Sequence, residues 1–211
     1  MPVLEKKLLK CCKCGKDFEE YEWEAVYCQL CIEIVKQAQE VKKIEQEIGA
    51  IIPKIYQTTD SDRDIKDFLN KSVFCYGPAG TGKTQFIATL AKHYIRNRYG
   101  VIWLSYPVYV MRLQTMYRND TKDPYEYVMN VATTEKILIL DDIGIEKQTD
   151  FLRQTIYMLV NQRYERQEVT LITSNKTLTE IDNIIHPGIS SRIAGMCQVL
   201  EFKGRDLRIK K

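Results

Sequence analysis

Residues 77–84 read Gly77-Pro78-Ala79-Gly80-Thr81-Gly82-Lys83-Thr84. They follow an apolar run, Val73-Phe74-Cys75-Tyr76, and open a helical stretch that continues from Gln85 to Arg98. Gly-x-x-x-x-Gly-Lys-Thr between a strand and a helix is the pattern of a loop that cradles the phosphates of a nucleotide. The residue types follow from the chemistry. Glycines let the backbone bend so that its N–H groups face an anion, and a helix N-terminus adds positive potential. Lys83 is placed to reach the β- and γ-phosphates, and the Thr84 hydroxyl to ligate Mg²⁺. A glycine turn with an incidental lysine would require neither flank. The expected ligands are ATP and Mg²⁺, with Gly77 to Gln85 as the binding segment.

Moving outward, apolar runs at 101–104 (Val-Ile-Trp-Leu), 137–140 (Ile-Leu-Ile-Leu), 169–172 (Val-Thr-Leu-Ile) and 198–202 (Gln-Val-Leu-Glu-Phe) read with 73–76 as five buried strands. Helical stretches are expected near 83–98, 107–117, 124–133 and 150–167. Buried strands alternating with helices imply an α/β fold, a mainly parallel sheet covered on both faces. Such a sheet presents the carboxyl ends of its strands to the ligand. The strand after the loop's helix and its neighbour ends in Asp141-Asp142, and the next in Thr173-Ser174-Asn175. Asp141 is expected beside Mg²⁺, Asp142 as the group that polarises an attacking water, and Asn175 as a water-orienting amide. The bland alternatives are a helix-capping Asp and a turn-forming Asn.

The chain has 211 residues, enough for one full domain and a small one beside it. Its net charge is +3, unevenly spread: residues 1–49 hold 8 Lys against 10 Asp or Glu, and Lys203–Lys211 holds five basic residues against Asp206. A basic end can lie near nucleic acid, though more often it is only solvated. No apolar stretch is long enough to cross a bilayer and no signal core follows the N-terminus, so a cytoplasmic protein is expected.

Of seven cysteines, Cys11, Cys12, Cys14, Cys28 and Cys31 fall within the first 31 residues. Cys11-x-x-Cys14 and Cys28-x-x-Cys31 form two knuckles 13 residues apart, the signature of a structural Zn²⁺ site with four thiolates and no open position. Cys12 could replace Cys11 in an alternative register. Asp17, Glu19, Glu20, Glu22 and Glu24 lie between the knuckles, opposed by Lys16 alone. Phosphates would repel that loop, so the module reads as a protein-docking unit, with Phe18, Tyr21 and Trp23 as its core or contact surface. Cys75 and Cys197 read as small core residues. Ile34, Ala38, Val41, Ile44 and Ile48 fall near helical spacing, which predicts an amphipathic linker helix capped by Gly49. Three segments result: a zinc module 1–32, a linker helix 33–49 and a nucleotide-binding domain 50–211.

The order of motifs — phosphate loop, Asp141-Asp142, Thr173-Ser174-Asn175, then Ser190-Ser191-Arg192-Ile193 — resembles the AAA+ ATPases. Ile52-Pro53-Lys-Ile-Tyr56, Leu140-Asp-Asp-Ile-Gly144 and Phe202-Lys-Gly-Arg-Asp-Leu-Arg208 narrow the resemblance to helicase loaders of the DnaC and DnaI type and the related IstB transposition helpers. It covers about residues 50–211. It implies that Asn175 is the first sensor and that Arg192 is an arginine finger, reaching the ATP of a neighbouring subunit. Ile52 and Tyr56 would pack the adenine, and Arg163 matches a basic position of its helix. Only 19 residues follow Arg192, leaving no room for the helical lid of most AAA+ proteins, as in the loader branch. Slow hydrolysis governed by assembly is then expected.

The resemblance also assigns a single-stranded-DNA contact to the region 105–130. Tyr106, Tyr109, Arg112, Tyr117, Arg118 and Lys122 offer faces for bases and charge for phosphates, although such a mixture also describes an ordinary amphipathic helix. DnaI-type loaders carry an N-terminal zinc domain that holds the replicative helicase. The implied function is an ATP-dependent loader of a hexameric DnaB-type helicase that self-associates and assembles on single-stranded DNA. An IstB-like transposition helper on duplex DNA, and a nucleotide-gated adaptor with little hydrolysis, are the alternatives.

Overall fold

A computed structural model describes residues 7–20, 29–119, 123–134, 136–144 and 149–208. The chain divides into two compact units, Met1–Glu47 and Ile48–Lys211.

In the first unit, strands β1 (Lys7–Lys10) and β2 (Asp17–Glu20) pair antiparallel, Lys10 opposite Asp17. The turn between them holds the first knuckle. Gly15 donates to the Cys11 carbonyl at 2.9 Å and sits at φ 70°, left-handed backbone that glycine adopts without strain. Helix α1 spans Gln29–Ile51. It therefore starts earlier than the linker expected at 33–49 and takes in Cys31, while Gly49 lies within it instead of capping it. Twenty-three residues of mostly good helix formers carry the helix past one unfavourable glycine. Ile34 and Val41 on its apolar stripe are exposed, whereas Ile48 is buried.

The second unit is a five-stranded sheet, all parallel, in the order β4-β5-β6-β3-β7. Its strands are β3 (Ser72–Tyr76), β4 (Val101–Ser105), β5 (Ile137–Ile143), β6 (Thr170–Ser174) and β7 (Cys197–Glu201). After the short α2 (Lys54–Gln57), the helices are α3 (Lys83–Arg96), α4 (Tyr106–Asn119), α5 (Pro124–Ala132), α6 (Asp150–Glu165), α7 (Leu178–Ile184) and α8 (Ile189–Met196). Phe74, Leu138, Leu140 and Ile172 point to one face and join a core with residues of α4 to α8. Residues of the opposite parity, Val73, Cys75, Ile139 and Leu171, are equally buried. Both faces are covered, which is why the strands read as continuous apolar runs. Cys75 and Cys197 are core residues, as their context implies.

Arg163 is fully buried on α6 and has no part in the cleft described below. Its guanidinium donates to the carbonyls of Thr134, Lys136 and Val169 and to the Thr170 hydroxyl, binding the chain entering β5 to the chain entering β6. Burial pulls it down to about 10, against the nearby Glu168 carboxylate.

Candidate functional site

The carboxyl ends of β3, β5 and β6 converge on the loop 77–82, the only route from β3 into α3. Gly77, Gly80 and Gly82 all have positive φ. At Gly77 a Cβ would collide with the Phe202 carbonyl, and at Gly80 with the Asp206 carboxylate. Glycine is thus required twice over, by the turn and by the close approach of the chain beyond β7. Thr81 closes the loop, its hydroxyl donating to the Pro78 carbonyl at 2.8 Å. Helix α3 begins immediately at Lys83, leaving its first N–H groups directed at the cleft.

Lys83 is buried and gives its three protons to Gly77 O (2.8 Å), Pro78 O (2.7 Å) and Asn175 Oδ1 (2.8 Å). Burial lowers its pKa below the ordinary lysine value, with the Asp142 carboxylate acting in the opposite sense. The ammonium thus stands where a phosphate would meet it, held by weaker neutral acceptors. The Thr84 hydroxyl donates to Asp141 Oδ1 at 3.0 Å, and the Thr173 hydroxyl donates to the same oxygen at 2.7 Å. Burial raises the Asp141 carboxyl to about 6; those two hydroxyls oppose the rise and Asp142 adds to it. One hydroxyl and one carboxylate that meet beside the loop are hard oxygen donors suited to Mg²⁺.

Strand β5 changes register between Leu140 and Ile143, and Asp142 sits there at φ 63°. The irregularity interrupts the alternation expected of a strand, so Asp142 joins the cleft while Asp141 remains buried beside it. Thr173 holds both acids, because its oxygen also accepts from the Asp142 N–H at 2.8 Å. In the sequence Thr173 is only part of a strand end; the pairing of β5 with β6 is what gives it this role.

Together these groups border a cavity of about 780 Å³, of a size for a nucleotide. Ala79, Gly80, Gly82, Lys83, Thr84 and Gln85 form its phosphate end; Asp142 and Asn175 stand beside them. Ile55, Tyr56 and Thr59 form the far wall. Ile52 does not line it: this residue is buried beneath, and Ile55 takes the place expected for it. The resemblance placed Ile52 against the adenine, but the chain breaks at Pro53 between α1 and α2, and the residues after the break reach the cavity.

Leu207 and Arg208 complete the wall. Leu207 donates its N–H to the Gly80 carbonyl at 2.9 Å, and Asp206 accepts from the Arg208 N–H. The basic end, expected to be solvated or near nucleic acid, instead folds over the phosphate loop as far as Arg208. No spacing rule links residues 80 and 207, so the sequence offered no signal for this beyond the resemblance in Phe202–Arg208.

Arg192 does not line the cavity of its own chain. It donates to Asn161 Oδ1 and to the Gly188 carbonyl (3.1 Å), and its guanidinium lies 4.7 Å from the centre of the Tyr157 ring. Of the α4 residues proposed to meet DNA, Tyr106 and Tyr109 are core residues, 1% and 3% exposed. The helix turns them to β5, and only Tyr117, Arg112 and Arg118 remain outward. Arg112 stacks over Tyr127 at 4.7 Å. Lys122 lies outside the described residues. Val108 and Met111, apolar residues with no nucleic-acid signature of their own, are exposed on the same stripe as Arg112.

In the N-terminal unit, Cys11, Cys14 and Cys31 bring their sulfurs within 4.8 Å of one another, and Cys12 is exposed outside that group. Cys28, Tyr21 and Trp23 lie outside the described residues. Three soft sulfur donors at that spacing fit Zn²⁺.

A family model described as IstB-like ATP binding protein matches residues 57–211. The replicative helicase loader DnaI of Bacillus subtilis (strain 168) is 30% identical over 112 residues, covering 53% of this chain and 35% of that protein. The insertion sequence IS21 putative ATP-binding protein of Pseudomonas aeruginosa is 23% identical over 147 residues, 67% of this chain and 54% of that one. The chain therefore spans less than two thirds of the length of these curated relatives. A crystal structure of the DnaC helicase loader superposes with a TM-score of 0.54 at 22% identity, over 80% of this chain and 91% of that one. One of DnaI gives 0.53 at 18%, over 72% and 88%; at such identities the likeness is one of fold. Because the family match runs over all five strands of the sheet and the phosphate loop, the chain belongs to the IstB-like ATP-binding family.

Proposed function

We propose that this chain is an assembly ATPase that loads a hexameric DnaB-type replicative helicase, holding the helicase through its zinc module and single-stranded DNA through α4. The observation that carries the reading is the cleft in which Lys83, Asn175, Asp142 and the Thr84–Asp141 pair meet beneath the phosphate loop.

Within that cleft, Lys83 exchanges the carbonyls of Gly77 and Pro78 for phosphate oxygens, a gain because a charge-assisted bond replaces a neutral one. Lys83 gives up Asn175 Oδ1 in the same exchange, which leaves that amide oxygen to orient a water. Asp142 accepts that water's proton as the water oxygen bonds to the γ-phosphorus and the bond from that phosphorus to the β-phosphate's bridging oxygen breaks, releasing ADP and phosphate. Thr84 and Asp141 would hold Mg²⁺, whose charge would offset that of the β- and γ-phosphates. Arg192 is turned away from its own cavity, in keeping with a finger that serves the neighbouring subunit. Self-association is then part of the catalytic cycle, and isolated protein hydrolyses slowly.

On α4 the DNA-facing set is Arg112, Thr115 and Arg118 with the exposed apolar surface of Val108 and Met111. Cys11, Cys14, Cys31 and Cys28 would hold Zn²⁺, which supplies a tetrahedral cross-link for the small unit and no chemistry. DnaI, a relative at 30% identity, is a replicative helicase loader by name, and the acidic stretch after the first knuckle favours a protein partner over DNA. The broader coverage by IS21 ATP-binding proteins favours a second reading, a transposition helper on duplex DNA. Capture of a purified hexameric replicative helicase by the full chain, with and without ATP, separates them. The loader reading expects stable capture that Cys14→Ser abolishes while ATP binding persists. No capture, together with ATP-dependent binding to duplex DNA, contradicts it.

A further inference from the structure

Two lysines are buried among the described residues, and both lie on α3. Lys83 belongs to the phosphate loop. Lys92 lies away from the loop, is 1% exposed, and does not line the cavity beside the phosphate loop. Its ammonium donates to the Tyr56 carbonyl at 2.9 Å and the Thr59 carbonyl at 2.6 Å, and it pairs with Asp60 Oδ1 at 2.5 Å. Three N–H donors meet three oxygens, so the buried cation is fully satisfied. Two other α3 side chains hold the same short segment. Gln85 donates to the Asp60 carbonyl at 2.8 Å, and Thr89 accepts from the Ser61 N–H at 2.9 Å. Residues 85, 89 and 92 share one face of the helix, and along that face Tyr56, Thr59, Asp60 and Ser61 are bound down.

That segment is the far wall of the cavity. With the phosphates at Gly80–Thr84, the partly apolar wall of Ile55, Tyr56 and Thr59 is left for the base and sugar. We infer that Lys92 is a positioning residue for the nucleotide base: it ties the base-side wall to the same helix whose N-terminus binds the phosphates, so the two ends of the ligand meet one rigid element. The inference rests on the cavity being the nucleotide site. Preorganising a wall lowers the ordering cost of binding, and the benefit falls on the part of the ligand that touches it.

The test compares Mg²⁺-ATP with Mg²⁺-tripolyphosphate, which has phosphates but no base, by calorimetry on full-length protein. Lys92→Met keeps the length of the side chain and removes its three donors. It should raise the Kd for ATP about 10-fold, the loss of one or two hydrogen bonds, and leave that for tripolyphosphate within about twofold. Thr89→Val is a milder cut at the next tie and should shift ATP in the same direction by about threefold with tripolyphosphate unmoved. Equal losses for both ligands in both variants, or no loss for ATP, would overturn the positioning role. Should Lys92→Met fail to fold, Thr89→Val decides alone by the same comparison. Wild-type protein that binds neither ligand would remove the nucleotide site itself, a result distinct from wild-type binding that Lys92→Met and Thr89→Val leave intact.

Discussion

Gly80 carries two constraints that a substitution separates. Its φ of +76° disfavours any Cβ, and the Asp206 carboxylate occupies the space a Cβ would need. Gly80→Ala should destabilise the protein by about 1–3 kcal/mol in urea denaturation and weaken ATP binding. Adding Asp206→Ala removes the collision and leaves only the backbone cost, so the double variant should recover part of the loss. Arg163 gives a larger effect by a different route. Arg163→Ala removes the donor to three part-buried carbonyls and to the Thr170 hydroxyl and should cost about 3–5 kcal/mol, read from the urea midpoint, with no specific effect on the cleft. Catalysis divides elsewhere: Asp142→Asn should cut hydrolysis by at least about 100-fold while ATP affinity holds, because the proton acceptor is lost and the phosphate contacts remain. The phosphate loop and the acidic pair were legible as residue types because their chemistry admits few substitutes. Thr173, Asp206 and Lys92 were not. Each acts through a partner 32, 126 or 33–36 residues away in sequence, and only the pairing of β5 with β6, the folding of the chain beyond β7 over the loop, or the packing of residues 56–59 against α3 brings the partners together.

At the scale of elements, parallel strands announced themselves as apolar runs, and each begins within two residues of where its run begins. Helix boundaries were less legible. Nothing in the chain from Gln29 to Ile51 stops a helix before Pro53, so α1 runs through both the second knuckle's Cys31 and Gly49. Helix α4 shows the limit of composition. Tyrosines and arginines alike suit a nucleic acid, yet the helix buries Tyr106, Tyr109 and Leu113 and leaves Val108, Met111, Arg112, Thr115 and one tyrosine, Tyr117, exposed. The DNA contact is therefore expected to be more electrostatic than stacked. Arg112→Gln with Arg118→Gln should reduce the salt dependence of single-strand binding by up to about two charges, whereas Tyr109→Phe should leave it unchanged because that hydroxyl is buried. Fluorescence titration over a salt series measures both.

For the molecule as a whole, the proposed function requires an active site shared between two chains. Lys83, Asp142 and Asn175 face the cavity, and Arg208 borders it from the segment that covers the loop, but Arg192 rests against Asn161 and Tyr157 on α6. Two defects placed in different chains should therefore compensate. Asp142→Asn retains the arginine and lacks the proton acceptor; Arg192→Ala retains the cleft and lacks the arginine. The deciding measurement is ATP turnover by each variant alone and by their equimolar mixture, on single-stranded DNA at concentrations that assemble the wild type. Each variant alone should be near background, and the mixture should recover a clear fraction of wild-type turnover. Wild-type turnover by Arg192→Ala alone, or a mixture no faster than its components, would contradict an active site shared between subunits.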